Sequence, residues 1–238
     1  MAYEYALSST VAAEAPAEAR ASFIRRTYGH LAMAILGFIA LETALMNIPG
    51  VKESVTNALF AGGQVGWLVV LVVFMLVGKL AEKWAQSDVS PGLQYMGLGL
   101  MVVAEAIIFL PLLTVATMFG QDPNIIPAAG IVTLAIFGGL STAVLVTGRD
   151  FSFLGSALSV FTWVAIGIVV ASAFFPITLG LVFCYAMVAL MAGYILYYTS
   201  NILYHYRTDQ HVAAALALFA CIATLFWYIV QIFLLRRD

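Results

Sequence analysis

The sequence predicts an all-α integral membrane protein, a seven-transmembrane helix bundle whose N-terminus is cytoplasmic. Hydrophobic residues make up 63% of the chain and charged residues only 9%, a balance far outside that of soluble domains. The hydrophobic residues form continuous runs, most of them long enough to cross a hydrocarbon core of about 30 Å. They do not alternate with polar residues, so the spans are predicted to be helices and not the strands of a barrel.

Seven apolar runs define the elements in order. The second run is the shortest, the third contains Pro111, and the fourth and fifth flank a short polar loop at Arg149. The sixth ends in a stretch that is rich in tyrosine. The runs cover residues 31–48, 67–80, 93–119, 125–146, 153–174, 177–204 and 212–235.

Residues 23–238 therefore form one transmembrane domain, and the alanine-rich segment before it, residues 1–22, is expected to be a mobile tail. Orientation follows from the basic residues, which favour the cytoplasmic side. Seven of the ten lie in the tail or near the loops after spans two, four and six, which predicts a cytoplasmic N-terminus and an external C-terminus. They are Arg20, Arg25, Arg26, Lys79, Lys83, Arg149 and Arg207.

Motifs for catalysis or cofactor binding are absent from the sequence. It has no phosphate-binding glycine loop, no paired metalloprotease histidines and no serine elbow, so we expect neither an enzyme nor a cofactor, and no nucleic-acid partner. The three histidines, His30, His205 and His211, and the nearby Asp209 are expected to be solvated surface groups and not a metal site.

Glu105 is the strongest candidate for a functional side chain, because carboxylates within a membrane are costly. It lies about 18 Å into the third span, close to the bilayer midplane. We expect it to face the bundle interior or water and to act as a metal ligand for a cation such as sodium or calcium, or as a proton carrier. The alternative is a protonated carboxyl group that hydrogen-bonds a neighbouring helix and only holds the helices together.

Two other charged residues belong to the predicted spans. Glu42 lies near the outer end of the first, where we expect its side chain to reach the interface by snorkelling. Lys79 lies at the cytoplasmic end of the second, and it either snorkels to water or turns inward towards an acceptor.

The sixth span ends in GYILYYTSNILYHY, residues 193–206, which is unusually polar for a membrane helix. The Tyr197 and Tyr198 pair and the amide of Asn201 are candidates for lining a cavity. The other tyrosines, Tyr194, Tyr204 and Tyr206, are expected to form an interfacial aromatic belt.

A family resemblance rests on four stretches that keep their order along the seven spans. TGRDFSFLG at residues 147–155 resembles the loop signature of the Bax inhibitor-1 (TMBIM-type) membrane proteins, and the chain is identified as a bacterial member. Within this loop, Asp150 or Ser152 is expected to cap the fifth span, and Arg149 to hold the loop in the cytoplasm. The other stretches are FIRRTYGHLAMA, VAEAIIFLPLL and ILYYTSNI, so the resemblance runs from about residue 22 to the end.

The resemblance implies a seven-helix bundle with a polar central cavity, a multi-pass protein that would lie in the bacterial inner membrane. It also implies a pH-sensitive calcium leak and, in eukaryotic members, protection from cell death. Better-known members sense pH with two aspartates that share a proton. Tyr198 and Cys221 stand at those positions here, so the resemblance implies that this pH sensor is lost.

Two functions of different kinds remain open at this point. In the first, calcium or protons leak through a cavity lined by Glu105, Tyr198, Asn201 and Cys221, with Lys79 near its cytoplasmic side. In the second, the bundle does not conduct and instead regulates other membrane proteins, such as quality-control proteases. The lost aspartates favour the interaction protein, whereas a glutamate at mid-membrane favours the leak.

Overall fold

The computed structural model describes residues 10–87, 90–118, 124–175 and 177–236. This part of the chain contains eight helices and a single isolated β-bridge. Every helix except the short α2 is long and apolar enough to cross a membrane, which confirms the predicted seven-span bundle. The helices are α1 (Ala17–Asn47), α2 (Val51–Phe60), α3 (Gly63–Ala85), α4 (Pro91–Met118), α5 (Ile125–Thr147), α6 (Leu154–Phe174), α7 (Leu181–Tyr204) and α8 (His211–Leu235).

Most helix boundaries lie close to the apolar runs, but α1 and α3 are longer than predicted. The helix α1 begins at Ala17 and not near residue 31, because backbone hydrogen bonding continues through the polar turns that precede the apolar run. Hydropathy detects only the part of a helix that lipid covers. It also misses α2, whose Lys52 and Glu53 interrupt any apolar run.

The segment before α1 contacts the loop between α7 and α8. The backbone N–H of Ala12 donates to the carbonyl of Tyr206 over 2.9 Å, and the Arg20 side chain donates to the carbonyl of Ala12 over 2.7 Å. Because α1 begins at Ala17, the predicted tail boundary at residue 22 lies inside this helix. Residues 1–9 lie outside the described residues, and the mobility of the tail stays a prediction.

The helices α4 and α8 form the centre of the bundle, and α1, α3, α5 and α7 pack around them. Phe38 of α1 joins the two central helices, with its ring centroid 5.1 Å from that of Phe109 and 6.1 Å from that of Phe219. The helices α3 and α6 bury few residues and present most of their surface outward. Interior side chains of the bundle are therefore those that face α4 and α8.

Glycines allow two pairs of consecutive spans to approach closely, as is common in membrane helices. A Cβ atom on Gly97 of α4 would lie 2.7 Å from the backbone nitrogen of Ala85 in α3. A Cβ on Gly155 of α6 would lie 2.8 Å from the Tyr197 ring of α7, and one on Gly193 would lie 2.7 Å from a methyl carbon of Leu158. The pairs α3–α4 and α6–α7 are thus fitted together at glycine contacts.

Loops at one end of the bundle connect α3 to α4, α5 to α6 and α7 to α8. We call this the Arg149 end, and the opposite end, which contains the segment 177–180, the Leu179 end. The cytoplasmic location of the Arg149 end stays a prediction.

Candidate functional site

A cavity of about 400 Å³ enters the bundle from the Arg149 end; we call it the tyrosine cavity. Lys79 and Glu82 of α3 and Gln86, which follows this helix, lie at its outer part, and all three side chains are exposed. Its wall contains the hydroxyl-bearing residues Thr162, Tyr194, Tyr198 and Tyr206, and its inner part contains Cys221 and Thr224.

The spacing of the tyrosines explains why the end of α7 is so polar. Tyr194, Tyr197 and Tyr198 share one helix face because they are three or four residues apart. The Tyr194 and Tyr198 rings stack with centroids 5.8 Å apart, and the Tyr194 hydroxyl lies 2.8 Å from that of Thr162 in α6. Tyr194 and Tyr206 therefore line the cavity, and their prediction as interfacial belt residues was wrong.

Glu105 lies in a second cavity of about 270 Å³, nearer the Leu179 end, which we call the aromatic cavity. Its side chain is only 4% exposed, and it accepts no hydrogen bond from any residue that the structure describes. Gln231 also lines this cavity, and its amide oxygen lies 3.4 Å from the Cys184 sulfur. The aromatic lining residues are Trp67, Phe74, Phe109, Phe183, Trp227 and Tyr228.

Thr224 of α8 lines both cavities. Its hydroxyl donates to the carbonyl of Ala220 over 2.9 Å. The residues of α8 that face the two cavities recur every three or four positions from Ala213 to Gln231, so they occupy one face of the helix. This face is about 27 Å long at 1.5 Å per residue, close to the thickness of a hydrocarbon core.

The candidate residues are divided between these cavities and do not share one. Tyr198, Cys221 and Lys79 line the tyrosine cavity, and Glu105 lines the aromatic cavity. Asn201 lines neither; its carbonyl accepts the backbone N–H groups of the two residues that follow α7, His205 and Tyr206. The structure does not bring the five predicted residues together in one cavity, because spacing along a helix does not reveal which neighbour each face meets.

Glu82, Thr224 and Gln231 were missed as lining residues. Glu82 follows Lys79 by three positions, and Thr224 follows Cys221 by three, so helical periodicity alone placed each beside a residue already selected. Gln231 continues the same face of α8. The signal was therefore present in the spacing of polar residues along α3 and α8.

Glu42 does not snorkel, contrary to its prediction. Its side chain is 5% exposed, and both carboxylate oxygens lack a hydrogen-bond partner within the described part of the chain. It follows Phe38 by one turn and thus faces α4 and α8, whereas snorkelling requires a side chain on the lipid side. Glu42 lines neither the tyrosine cavity nor the aromatic cavity.

The loop between α5 and α6 is attached to α7 through Asp150. One carboxylate oxygen accepts the backbone N–H of Ser152 over 2.8 Å and the hydroxyl of Ser200 over 3.0 Å. The Ser152 backbone N–H is the main cause of a lowered pKa for Asp150. The prediction that Asp150 or Ser152 caps α6 was wrong, because Phe153 occupies the N-cap position and no side chain forms a hydrogen bond there. Arg149 is exposed.

No group of three or more histidine, cysteine, aspartate or glutamate residues that could hold a metal ion occurs among the residues described. The His30 and His211 rings lie 4.9 Å apart, and His30 also lies 3.2 Å from the Tyr95 hydroxyl. The described residues thus give a helical membrane protein with two internal cavities that share one lining residue, Thr224.

The chain belongs to the Bax inhibitor-1 family. The family profile described as inhibitor of apoptosis-promoting Bax1 matches residues 20–238. An uncharacterized protein of Pseudomonas aeruginosa is 29% identical, over 97% of this chain and 95% of its own. Protein LIFEGUARD 4 of Arabidopsis thaliana is 29% identical, over 91% of this chain and 85% of its own. The Golgi anti-apoptotic protein of vaccinia virus (strain Lister) is 26% identical, over 92% of this chain and 88% of its own. No solved structure matches.

Proposed function

We propose that this protein is a passive cation leak that lets calcium cross the membrane through the tyrosine and aromatic cavities. The observation that carries this proposal is the single face of α8 that lines both cavities, with Thr224 shared between them. An ion would pass the exposed carboxylate of Glu82, then the hydroxyl groups of the cavity wall, and then Glu105. Calcium prefers oxygen ligands of these kinds.

A leak does not need a complete set of ligands at any one depth. Conduction requires sites that are favourable enough to enter and weak enough to leave. One carboxylate in each cavity, separated by neutral hydroxyl groups, fits that requirement better than a tight metal site.

We place the protein in a bacterial inner membrane with its Arg149 end in the cytoplasm, and we propose no catalytic activity, cofactor or nucleic-acid partner.

The test is calcium flux into liposomes that contain only the purified protein. Glu105→Gln keeps the shape of the side chain and removes its charge, so we expect flux to fall at least about tenfold while thermal stability holds or rises. Glu42→Gln is the matched control, because Glu42 is equally buried and lines neither cavity. We expect the control to conduct like the parent.

Equal flux in Glu105→Gln and the parent would remove Glu105 from the path. If the parent itself carries no calcium, the second function comes forward, a non-conducting protein that regulates other membrane proteins. The anti-apoptotic name of the viral relative is compatible with such a role.

We also propose that flux through this protein varies little with pH around neutrality. Tyr198 and Cys221 both line the tyrosine cavity, and the family resemblance implies that they replace its paired aspartates. Phenols and thiols ordinarily titrate near 10 and 8.5, so neither side chain changes its charge as a carboxylate pair would. Changing Tyr198→Asp together with Cys221→Asp should introduce a pH dependence of flux; a double variant that behaves like the parent would contradict this.

A further inference from the structure

The lining of the aromatic cavity is unusual for an inorganic cation site. Calcium takes six to eight oxygen ligands in proteins. Here one carboxylate, that of Glu105, stands among six aromatic side chains, and Thr224 and Gln231 are its polar neighbours in the lining. The quadrupole of an aromatic ring attracts cations to its face, and cations whose charge is spread over alkyl groups lose little hydration when they enter such a site.

Contacts with other rings hold the aromatic side chains in position. The Trp227 ring meets Phe109 edge to face at 5.0 Å, and the Tyr228 ring meets Phe183 at 6.0 Å. Trp67 stacks on Phe60 of α2 at 5.0 Å. A cage that is already formed loses little side-chain entropy when a ligand binds.

When ionised, Glu105 supplies a negative charge that no described residue of the cavity lining balances. No lysine or arginine occurs among the described residues that line this cavity. The carboxylate is almost fully buried and accepts no hydrogen bond from the described part of the chain. A ligand that brings its own positive charge would offset the cost of burying the ionised carboxylate, since a buried charge is costly unless it is paired.

The volume of the cavity limits the size of the ligand. At about 270 Å³ it is smaller than the roughly 300–1,000 Å³ of sites that hold drug-sized molecules. A small ammonium ion with a few methyl or ethyl groups fits this limit.

We propose that the aromatic cavity binds a small alkylammonium cation of the choline or tetramethylammonium class, with Glu105 as its counter-ion and Trp67 and Trp227 as its aromatic contacts. This binding does not depend on calcium conduction. Choline binding without calcium flux would leave this inference standing and remove the proposed leak, and flux without choline binding would do the reverse.

The test compares choline with 3,3-dimethylbutan-1-ol, an uncharged molecule of the same shape, on the purified full-length protein in detergent. Calorimetric titration measures both affinities, and the melting temperature is a second readout because a ligand that binds the folded state raises it. We expect choline to bind at least about tenfold more tightly than the alcohol. Equal affinity for the two would overturn the proposal, since the charge would then contribute nothing.

Variants locate the site. Glu105→Gln and Trp227→Leu should each weaken choline binding at least about tenfold, and Trp67→Leu provides a second aromatic deletion on α3. The matched control is Phe226→Leu, because Phe226 stacks on Phe109 at 5.6 Å but does not line the aromatic cavity. Wild-type affinity in Glu105→Gln, or equal losses in Phe226→Leu and Trp227→Leu, would contradict the proposal.

Discussion

The tyrosine cavity and the aromatic cavity place their charges in opposite ways. In the tyrosine cavity Lys79 and Glu82 stand at the exposed outer part, and the inner lining is neutral. In the aromatic cavity the carboxylate of Glu105 is buried within the bundle and surrounded by rings. Both cavities use the same face of α8 but different parts of it. Residues up to Thr224 line the tyrosine cavity, and Thr224 is followed by Trp227 and Tyr228 in the aromatic cavity.

The largest effect is expected at Thr224, which lines both cavities. Thr224→Leu places a bulky apolar side chain on the proposed path between them, and we expect calcium flux in liposomes to fall by more than about tenfold, because a hydrophobic constriction excludes water and ions. Thr224→Val keeps the volume of the side chain and should retain most of the flux. If leucine and valine reduce flux equally, the hydroxyl group matters and a simple blockage does not account for the effect.

The two native cysteines report which cavity is open to small reagents. Cys221 lines the tyrosine cavity, whereas Cys184 is fully buried beside Gln231. In single-cysteine variants, made with Cys184→Ala or Cys221→Ala, we expect methyl methanethiosulfonate to modify Cys221 at least about tenfold faster, because reaction requires access. Mass spectrometry of timed samples measures both rates, and faster modification of Cys184 would reverse the assignment.

A smaller effect, on stability, is expected where α3 meets α4 beside the tyrosine cavity. Gly97→Ala forces a methyl group against the backbone of α3, and we expect a loss of about 1–3 kcal/mol, typical of overpacking. Gly99→Ala is the control on the same helix, because open space surrounds a Cβ there and alanine favours a helix. Thermal unfolding in detergent should separate the two variants, and equal melting temperatures would contradict the close contact.

The smallest effect is expected at Asp150, outside the membrane at the Arg149 end. Its pKa lies below the ordinary 3.8, so its contribution to stability is complete above that value and is lost only as pH falls through the lower folded value. Asp150→Asn should cost no more than about 1 kcal/mol near neutral pH, the size of a net hydrogen bond. Melting temperatures at several pH values test this; an Asp150-dependent change near pH 6 would contradict it.

Hydropathy predicted the seven spans because a helix that crosses lipid must be apolar on every turn. Counting residues along the third span predicted that Glu105 lies near the bilayer midplane, and the cost of a carboxylate in lipid predicted that it faces the bundle interior or water. The sequence did not predict that Glu42 faces the bundle or that Glu105 and Tyr198 lie in different cavities. Those facts depend on how each helix is rotated against its neighbours, which close contacts such as Gly97 with α3 determine.

The position of α8 in the chain has a consequence for biosynthesis. The pairs α3–α4 and α6–α7 are consecutive in sequence and meet at glycine contacts, so each pair can associate soon after its second helix enters the membrane. The wall shared by both cavities, from Ala213 to Gln231, belongs to α8, which is synthesised after the helices α1 to α7. A nascent chain that lacks α8 therefore carries Glu105 into the bilayer before the enclosure around it is complete.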